Sequence, residues 1–266
     1  MSKLATYQSL NNLAIWQEMG AISLEEMSAV KLMNRIDTKY VTSEAMVMQL
    51  LKQAAQYGYR VQVHGSVIAA RYDTRYYDTE ARDMYIVHHN RLLVRQKIRT
   101  RHYEDSSTTY LEVKDKNNRG RTKKRRIEIP LDNLMDFAGN SEALSFIEPL
   151  ARYNIKSLSP AIATRFVRIT IVNPELTERI TIDLNLEFTD LRSGAVGKIE
   201  GMAIIEIKQD GNIRSKTKEI LNSLRVKPMR VSKYCLGTAL TVESIKRNRM
   251  IEKIRRIRKR LEQNNE

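Results

Sequence analysis

The chain has 266 residues, 42% of them hydrophobic, which is enough for one sizeable core. Lysine and arginine number 46 against 31 acidic residues, giving a formal net charge of +15. A surplus of that size opposes compactness through self-repulsion and calls for an anionic partner: nucleic acid, a phosphorylated small molecule, polyphosphate or a membrane surface. Cys235 is the only cysteine, which excludes a disulfide framework within the chain and fits a reducing compartment. The N-terminus carries no basic segment followed by an apolar run, and no stretch nears the length needed to span a bilayer, so the expected location is the cytoplasm.

In chain order, Ser23 can cap a helix over Leu24–Met33, with Glu25 and Glu26 in its first turn. A strand-like piece follows at Asp37–Val41, and Ser43 caps an amphipathic helix reaching Tyr57. From Tyr59 the hydrophobic period changes to two, predicting strands over Tyr59–Val63, Val67–Asp73, Leu92–Tyr103 and Thr109–Lys114. Asn117-Asn118-Arg119-Gly120 reads as a turn, Lys123–Ile129 as a strand ended by Pro130, and Leu131–Tyr153 as two helical pieces broken at Gly139-Asn140. Strands return at Thr164–Val172, Arg179–Phe188 and Met202–Lys208, and Ser215–Leu224 reads as a helix. His88 and His89 fall in an expected turn and read as solvated; Cys235 reads as a core residue. The tail is a basic amphipathic helix: Ile245, Met250, Ile254, Ile257 and Leu261 form an apolar stripe among many lysines and arginines. The expected organisation is a main domain over 1–240 and this helix over 241–266.

Side chains two apart on a strand share a face. Within Leu92–Tyr103, one face therefore carries Arg95, Lys97, Arg99 and Arg101, four cations that repel unless water or an anion screens them. The same parity groups Glu112 with Lys114, Lys124 with Arg126 and Glu128, Arg168 with Thr170, Arg179 with Thr181, Asp183, Asn185 and Glu187, and Glu206 with Lys208. Alternation of this kind most commonly marks an antiparallel sheet with its polar side in water. Two details favour an enclosed anion site. The polar faces are dominated by Arg and Lys, and the isolated acids stand two residues from a cation, a combination suited to gripping phosphate oxygens together with a hard metal ion.

Six segments resemble, in order, the vacuolar transporter chaperone domain, the polyphosphate polymerase branch of the triphosphate tunnel metalloenzyme superfamily. They are Arg-Ile-Asp-Thr-Lys-Tyr at 35–40, Tyr-Tyr-Asp-Thr at 76–79, Lys-Ile-Arg-Thr-Arg-His-Tyr at 97–103, Leu-Glu-Val-Lys at 111–114, Ile-Glu-Ile-Lys at 205–208 and Ser-Lys-Tyr at 232–234. The resemblance spans about residues 30–240. It implies an α+β fold: an antiparallel β-barrel tunnel of the CYTH-like type braced by helices, here followed by the basic C-terminal helix. It implies Lys39, Arg99, Arg101, Lys114 and Lys233 as catalytic groups, Lys124, Arg126, Arg168 and Arg179 as further phosphate contacts, which strand parity extends to Arg95 and Lys97, and Glu206 as the ligand of Mn²⁺ or Mg²⁺. Glu112 and Asp183 would help position cations or the metal. The superfamily's Glu-x-Glu-x-Lys signature is here Ile36-Asp37-Thr38-Lys39, which keeps the lysine and lacks the paired glutamates; that fits the polymerase branch. The inositol-phosphate sensor and membrane helices of eukaryotic polymerases are not expected in this chain.

The activity this implies is ATP-dependent polyphosphate polymerisation, with ATP and inorganic polyphosphate as partners. Two other readings stay open: a metal-dependent hydrolase of triphosphate or polyphosphate, and a non-catalytic polyphosphate-binding module. No nucleic-acid-binding motif accompanies the charge. The basic tail could cap a tunnel mouth, meet an anionic membrane, dock on a membrane-protein partner, or pack by its narrow stripe as a solvated helix.

Overall fold

A computed structural model of the chain describes residues 6–28, 35–211 and 213–263. The strands are β1 (Gly20–Ile22), β2 (Arg35–Ser43), β3 (Arg60–Gln62), β4 (Ala70–Asp78), β5 (Arg95–Tyr103), β6 (Thr108–Lys116), β7 (Thr122–Glu128), β8 (Ser159–Val172), β9 (Glu178–Asp190), β10 (Val196–Lys198) and β11 (Met202–Asp210). The helices are α1 (Tyr7–Asn11), α2 (Leu24–Ser28), α3 (Glu44–Gln56), α4 (Asp83–His89), α5 (Ser141–Ile147), α6 (Lys216–Ser223), α7 (Lys233–Thr241) and α8 (Asn248–Gln263). No helix among the described residues is long and apolar enough to cross a membrane.

One sheet organises the molecule. Its main path runs β2-β11-β9-β8-β4-β5-β6-β7, every neighbouring pair antiparallel, with β10 on β9 and β3 on β8; among the described residues only the short β1–β3 pairing is parallel. The path curls into a half-barrel with β2 and β7 as its ends. Among the described residues no hydrogen bonds join those two strands, so the expected tunnel is walled by strands but not closed by them. The curl brings Lys114 of β6 close enough to Glu206 of β11 for the two charges to interact.

The convex face is apolar and covered by helices. Ile169, Ile171, Ile180, Ile182, Ile205 and Ile207 pack against Val47, Leu50, Leu51 and Ala54 of α3 and against Ile220 and Leu221 of α6. Those α3 residues recur at helical spacing, and the Ser43 hydroxyl accepts from Met46 N at 3.4 Å to cap the helix. On the other half, Ile98, Leu111 and Val113 are covered by Phe137, Ala143 and Ile147. Helix α7 lies differently. Its Tyr234, Leu236 and Ala239 pack with Val41, Ile204, Leu186 and Phe188, filling one end of the concave face.

A bulge makes room for α7. Register shifts between Arg165 and Val167, opposite Asn185, whose φ is 52°. Strict alternation places Asn185 and Glu187 with Asp183; beyond the bulge, Leu186 and Phe188 take that face instead and receive α7. Gly237 allows the approach, because a Cβ there would meet Phe188 Cδ1 at 2.7 Å and Ile162 Cγ2 at 3.0 Å. Gly237→Ala is therefore expected to destabilise the fold by about 1–3 kcal/mol, seen as a lower midpoint in thermal denaturation; an unchanged midpoint would mean that α7 is not seated this closely.

Several elements depart from the sequence expectations. Residues 29–33 of the expected first helix lie outside the described residues. The strand expected to stop at Asp73 continues to Asp78, so Thr74 and Tyr76 join the sheet. The first piece expected in Leu131–Tyr153 is two short 3₁₀ turns, and the second is α5. His88 and His89 are not in a solvated turn: they end α4, where His89 is buried, bonds Asn248 at 2.9 Å and stacks on Tyr85. Tertiary burial overrides a local signal there that reads as polar. The C-terminal helix is α8. Its Met250, Ile254, Ile257 and Leu261 are buried in the main core, so the stripe is spent on packing within the protein.

Candidate active site

The concave face collects cations from seven strands and α7. Cross-strand partners point the same way, and the registers Lys39–Glu206, Asp183–Arg168, Arg99–Glu112, Lys97–Lys114, Lys114–Lys124 and Glu112–Arg126 place all of these side chains on it. Three carboxylates organise them, Glu112 and Asp183 buried and Glu206 partly so. Glu112 accepts from Arg99 Nε at 2.6 Å and also from Lys124. Asp183 accepts two bonds from Arg168, at 2.6 and 3.0 Å, and one from Lys233. Glu206 accepts from Lys208 at 2.8 Å and from Lys39, and Lys208 also reaches Thr181 at 3.2 Å.

Arg101, Lys97, Lys114 and Arg179 have no carboxylate in contact among the described residues. Arg101 donates to Thr74 Oγ1 at 3.0 Å, and Lys97 to Ser232 Oγ at 2.8 Å. Lys114 has no hydrogen bond or ion pair among the described residues; the Arg99 charge first, and then burial, hold its pKa well below the usual lysine range. Arg179 is lowered by burial and by the charges of Arg35 and Arg168. Burial lowers Lys208 to about 8 despite Glu206. Each of these groups would be stabilised in its charged form by an incoming anion. Arg95 stands at the end of the β5 row, bonded to the Leu92 carbonyl at 2.8 Å. Lys124 and Arg126 lie on the same face but at the exposed edge β7, Arg126 stacking over Tyr110 at 4.3 Å.

Sequence reasoning missed an aromatic floor. Tyr72 and Phe166 stack with ring centroids 5.0 Å apart, and Arg101, Arg168 and Lys233 all sit over Phe166, at 5.7, 5.3 and 4.4 Å. Tyr76 stacks on Tyr234 at 5.2 Å, and its hydroxyl accepts from Arg99 at 3.3 Å. Burial raises the Tyr76 phenol, but Arg99, Arg101, Lys233 and Lys97 outweigh it and pull the pKa down. The signal that could have found this floor was the Tyr72-Thr74-Tyr76 alternation, hidden because the strand was ended too early.

Two of the six sequence segments meet at Asp78. Its carboxylate accepts from the backbone N–H groups of Met84 and Tyr85, at 2.9 and 3.0 Å, and from the Tyr234 hydroxyl. It thereby caps α4 and anchors α7 beside Lys233. Ser232 caps α7 through Cys235 N at 3.4 Å and accepts from Lys97, so the start of α7 is tied to β4 and β5 together.

Burial alone would raise Glu112 and Asp183. The surrounding cations outweigh it: Arg99, Arg101 and Lys124 for the first, Arg168 and Lys233 for the second, so both carboxyls lie far below the ordinary range. In the unfolded chain such groups titrate near about 4. Their stabilisation is therefore complete above that range and is lost as pH falls toward the depressed folded values. Urea denaturation should show stability falling progressively below about pH 4, with a shallower fall in Glu112→Gln and Asp183→Asn; identical slopes in wild type and variants would contradict the assignment.

The donor set bears on a metal ion. Among the described residues no three His, Cys, Asp or Glu side chains cluster as ligands. Glu206 offers one carboxylate, which fits a hard divalent cation only when phosphate oxygens and water complete the shell.

The VTC domain model matches residues 34–242. No curated protein matches the sequence. Among solved structures, the fold is similar to that of a Hippeastrum protein described as an adenylyl cyclase with a dominant triphosphatase activity: 14% identity over 77% of this chain and 95% of that one, TM-score 0.52. An adenylate cyclase-type protein from Vibrio parahaemolyticus matches at 12% identity over 76% and 96% of the two chains, with a TM-score of 0.44. A protein from Pyrococcus horikoshii matches at 14% identity over 76% and 97%, also with a TM-score of 0.44. The fold is thus that of triphosphate tunnel-type proteins, and with a family match covering most of its length, the chain belongs to the VTC domain family.

Proposed function

We propose that the protein is an ATP-dependent polyphosphate polymerase working on its concave face. Family membership supports an enzyme that acts on triphosphate or polyphosphate. The observation that carries the finer reading is the convergence of Lys39, Arg99, Arg101, Lys114, Lys124, Arg168 and Lys233 on one curled face around the carboxylates of Glu112, Asp183 and Glu206. Phosphoryl transfer needs little covalent help; positioning and charge neutralisation carry it.

In this reading Arg99, Arg101, Lys114 and Lys124 clamp the triphosphate of ATP. Lys39 and Lys233 hold the end of the acceptor chain or the departing diphosphate. Lys97, Arg95, Arg126, Arg168 and Arg179 extend the track along which the polymer lies. An oxygen of the acceptor's terminal phosphate attacks the γ-phosphorus, the bond from that phosphorus to the β-phosphate bridging oxygen breaks, and ADP leaves; the chain grows by one unit. Glu206 would hold the divalent ion, manganese or magnesium, which when bound neutralises charge on the β- and γ-phosphate oxygens. The aromatic floor of Tyr72 and Phe166 backs the cations with low-polarity surface, which strengthens their hold on an anion.

Transfer to a phosphate is favoured over hydrolysis by the state of the carboxylates. Glu112, Asp183 and Glu206 are each engaged by two cations and held strongly ionised, so none is a good base toward water. A terminal phosphate is already anionic and needs no base. Purified protein incubated with ATP and Mn²⁺ should make long polyphosphate, and Arg99→Ala and Glu206→Ala should each slow it by at least about 10²-fold. Free phosphate without polymer would instead identify a hydrolase, and full activity in both variants would remove the site.

A further inference from the structure

We infer that the loop Arg91–Val94, at the end of the β5 cation row, is a peripheral docking point for an anionic lipid bilayer. Three consecutive apolar side chains there are open to solvent: Leu92 is 53% exposed, Leu93 55% and Val94 43%. Together they form the longest exposed apolar run among the described residues, and they sit on a loop tip rather than in a groove. The loop is a held structure. Arg91 adopts a φ of 64°, Leu92 N donates to the Val87 carbonyl at 3.1 Å, and Arg95 donates to the Leu92 carbonyl at 2.8 Å. Arg249 of α8 secures the preceding turn through the His89 carbonyl at 3.2 Å.

Cations ring this tip. Arg95 and Lys116 face each other across β5 and β6. Burial lowers the proton affinity of Arg95, Lys116 and Lys253, and neighbouring cations lower it further: Arg230 acts on the first two and Arg91 on the third. None of Arg91, Arg95, Lys116, Arg230 and Lys253 is ion-paired with a carboxylate among the described residues. An apolar tip inside a ring of unneutralised cations matches a headgroup layer, where the tip enters the acyl boundary and the ring meets anionic headgroups; each signal alone gives only marginal binding. The buried stripe of α8 cannot supply the apolar part. The loop can, and its docking would set the end of the cation row against the membrane surface.

Vesicle co-sedimentation tests this. Wild-type protein should bind phosphatidylcholine vesicles containing about one-third phosphatidylglycerol and leave pure phosphatidylcholine vesicles unbound, as electrostatic attraction requires. Binding should persist with excess tripolyphosphate occupying the concave face. The triple variant L92S/L93S/V94S should bind at least about tenfold more weakly while keeping the wild-type melting temperature, because its side chains are solvent-exposed. Arg91→Glu with Lys253→Glu should weaken binding comparably. No binding to anionic vesicles, binding abolished by tripolyphosphate, or equal binding by wild type and the triple variant would overturn the proposal.

Discussion

Replacing Arg99 with alanine is expected to cost polymer synthesis about 2.7–4 kcal/mol in the transition state, on the order of 10²–10³-fold in rate. Arg99 is 8% exposed and lies between Glu112 and Tyr76, at the centre of the concave face. Its guanidinium is held in a fixed direction by Glu112, so its charge is in place before a phosphate arrives. The substitution has a second consequence. Glu112 is fully buried, and losing Arg99 leaves Lys124 as its one ion-pair partner among the described residues, which lowers stability as well as rate. Arg99→Lys separates the two effects. It restores a positive charge near Glu112 but not the planar fork, so stability should recover more than rate. Equal recovery of both would mean that Arg99 acts only through folding.

The largest stability effect is expected at Asp183. It is 1% exposed and engages Arg168 and Lys233, both lying over the Phe166 ring. Asp183→Ala leaves two partly buried cations uncompensated beside aromatic surface, a loss of up to about 3–5 kcal/mol. The same cations would then be free to take a phosphate oxygen in place of the missing carboxylate. Tripolyphosphate should therefore raise the melting temperature of Asp183→Ala by more than it raises that of the wild type. A variant as stable as the wild type, or one gaining no more from the ligand, would contradict this picture of the carboxylate as an internal stand-in for substrate.

Much of this geometry was legible because strand parity is a local property. The common face of Arg95, Lys97, Arg99 and Arg101 needs only the two-residue period of β5, and the apolar faces of β8, β9 and β11 follow in the same way. The Ser43 cap was likewise visible in the sequence. What stayed hidden depends on contacts between distant segments. The bulge at Asn185, which reverses parity within one strand, carries no signal in the Leu-Asn-Leu-Glu pattern around it. The insertion of α7 onto the concave face rests on Gly237 and on the Tyr234–Asp78 bond, the latter joining residues 156 apart in the chain. Helix α4 was missed because its cap is that same Asp78, reached through space past Arg82 at φ 58°, where a local N-cap residue would ordinarily stand. The tail's apolar stripe was visible, but its burial in the core was not.

The central claim is that the concave face holds a chain of phosphates. A crystal structure of the protein soaked with tripolyphosphate tests it most directly. The predicted result is phosphate density within hydrogen-bonding distance of Arg99, Arg101 and Lys114, with Lys124 and Lys233 turned from their carboxylates toward the ligand. Tripolyphosphate bound instead on the outer surface of β7 or along α8, with the concave ion pairs undisturbed, would contradict it.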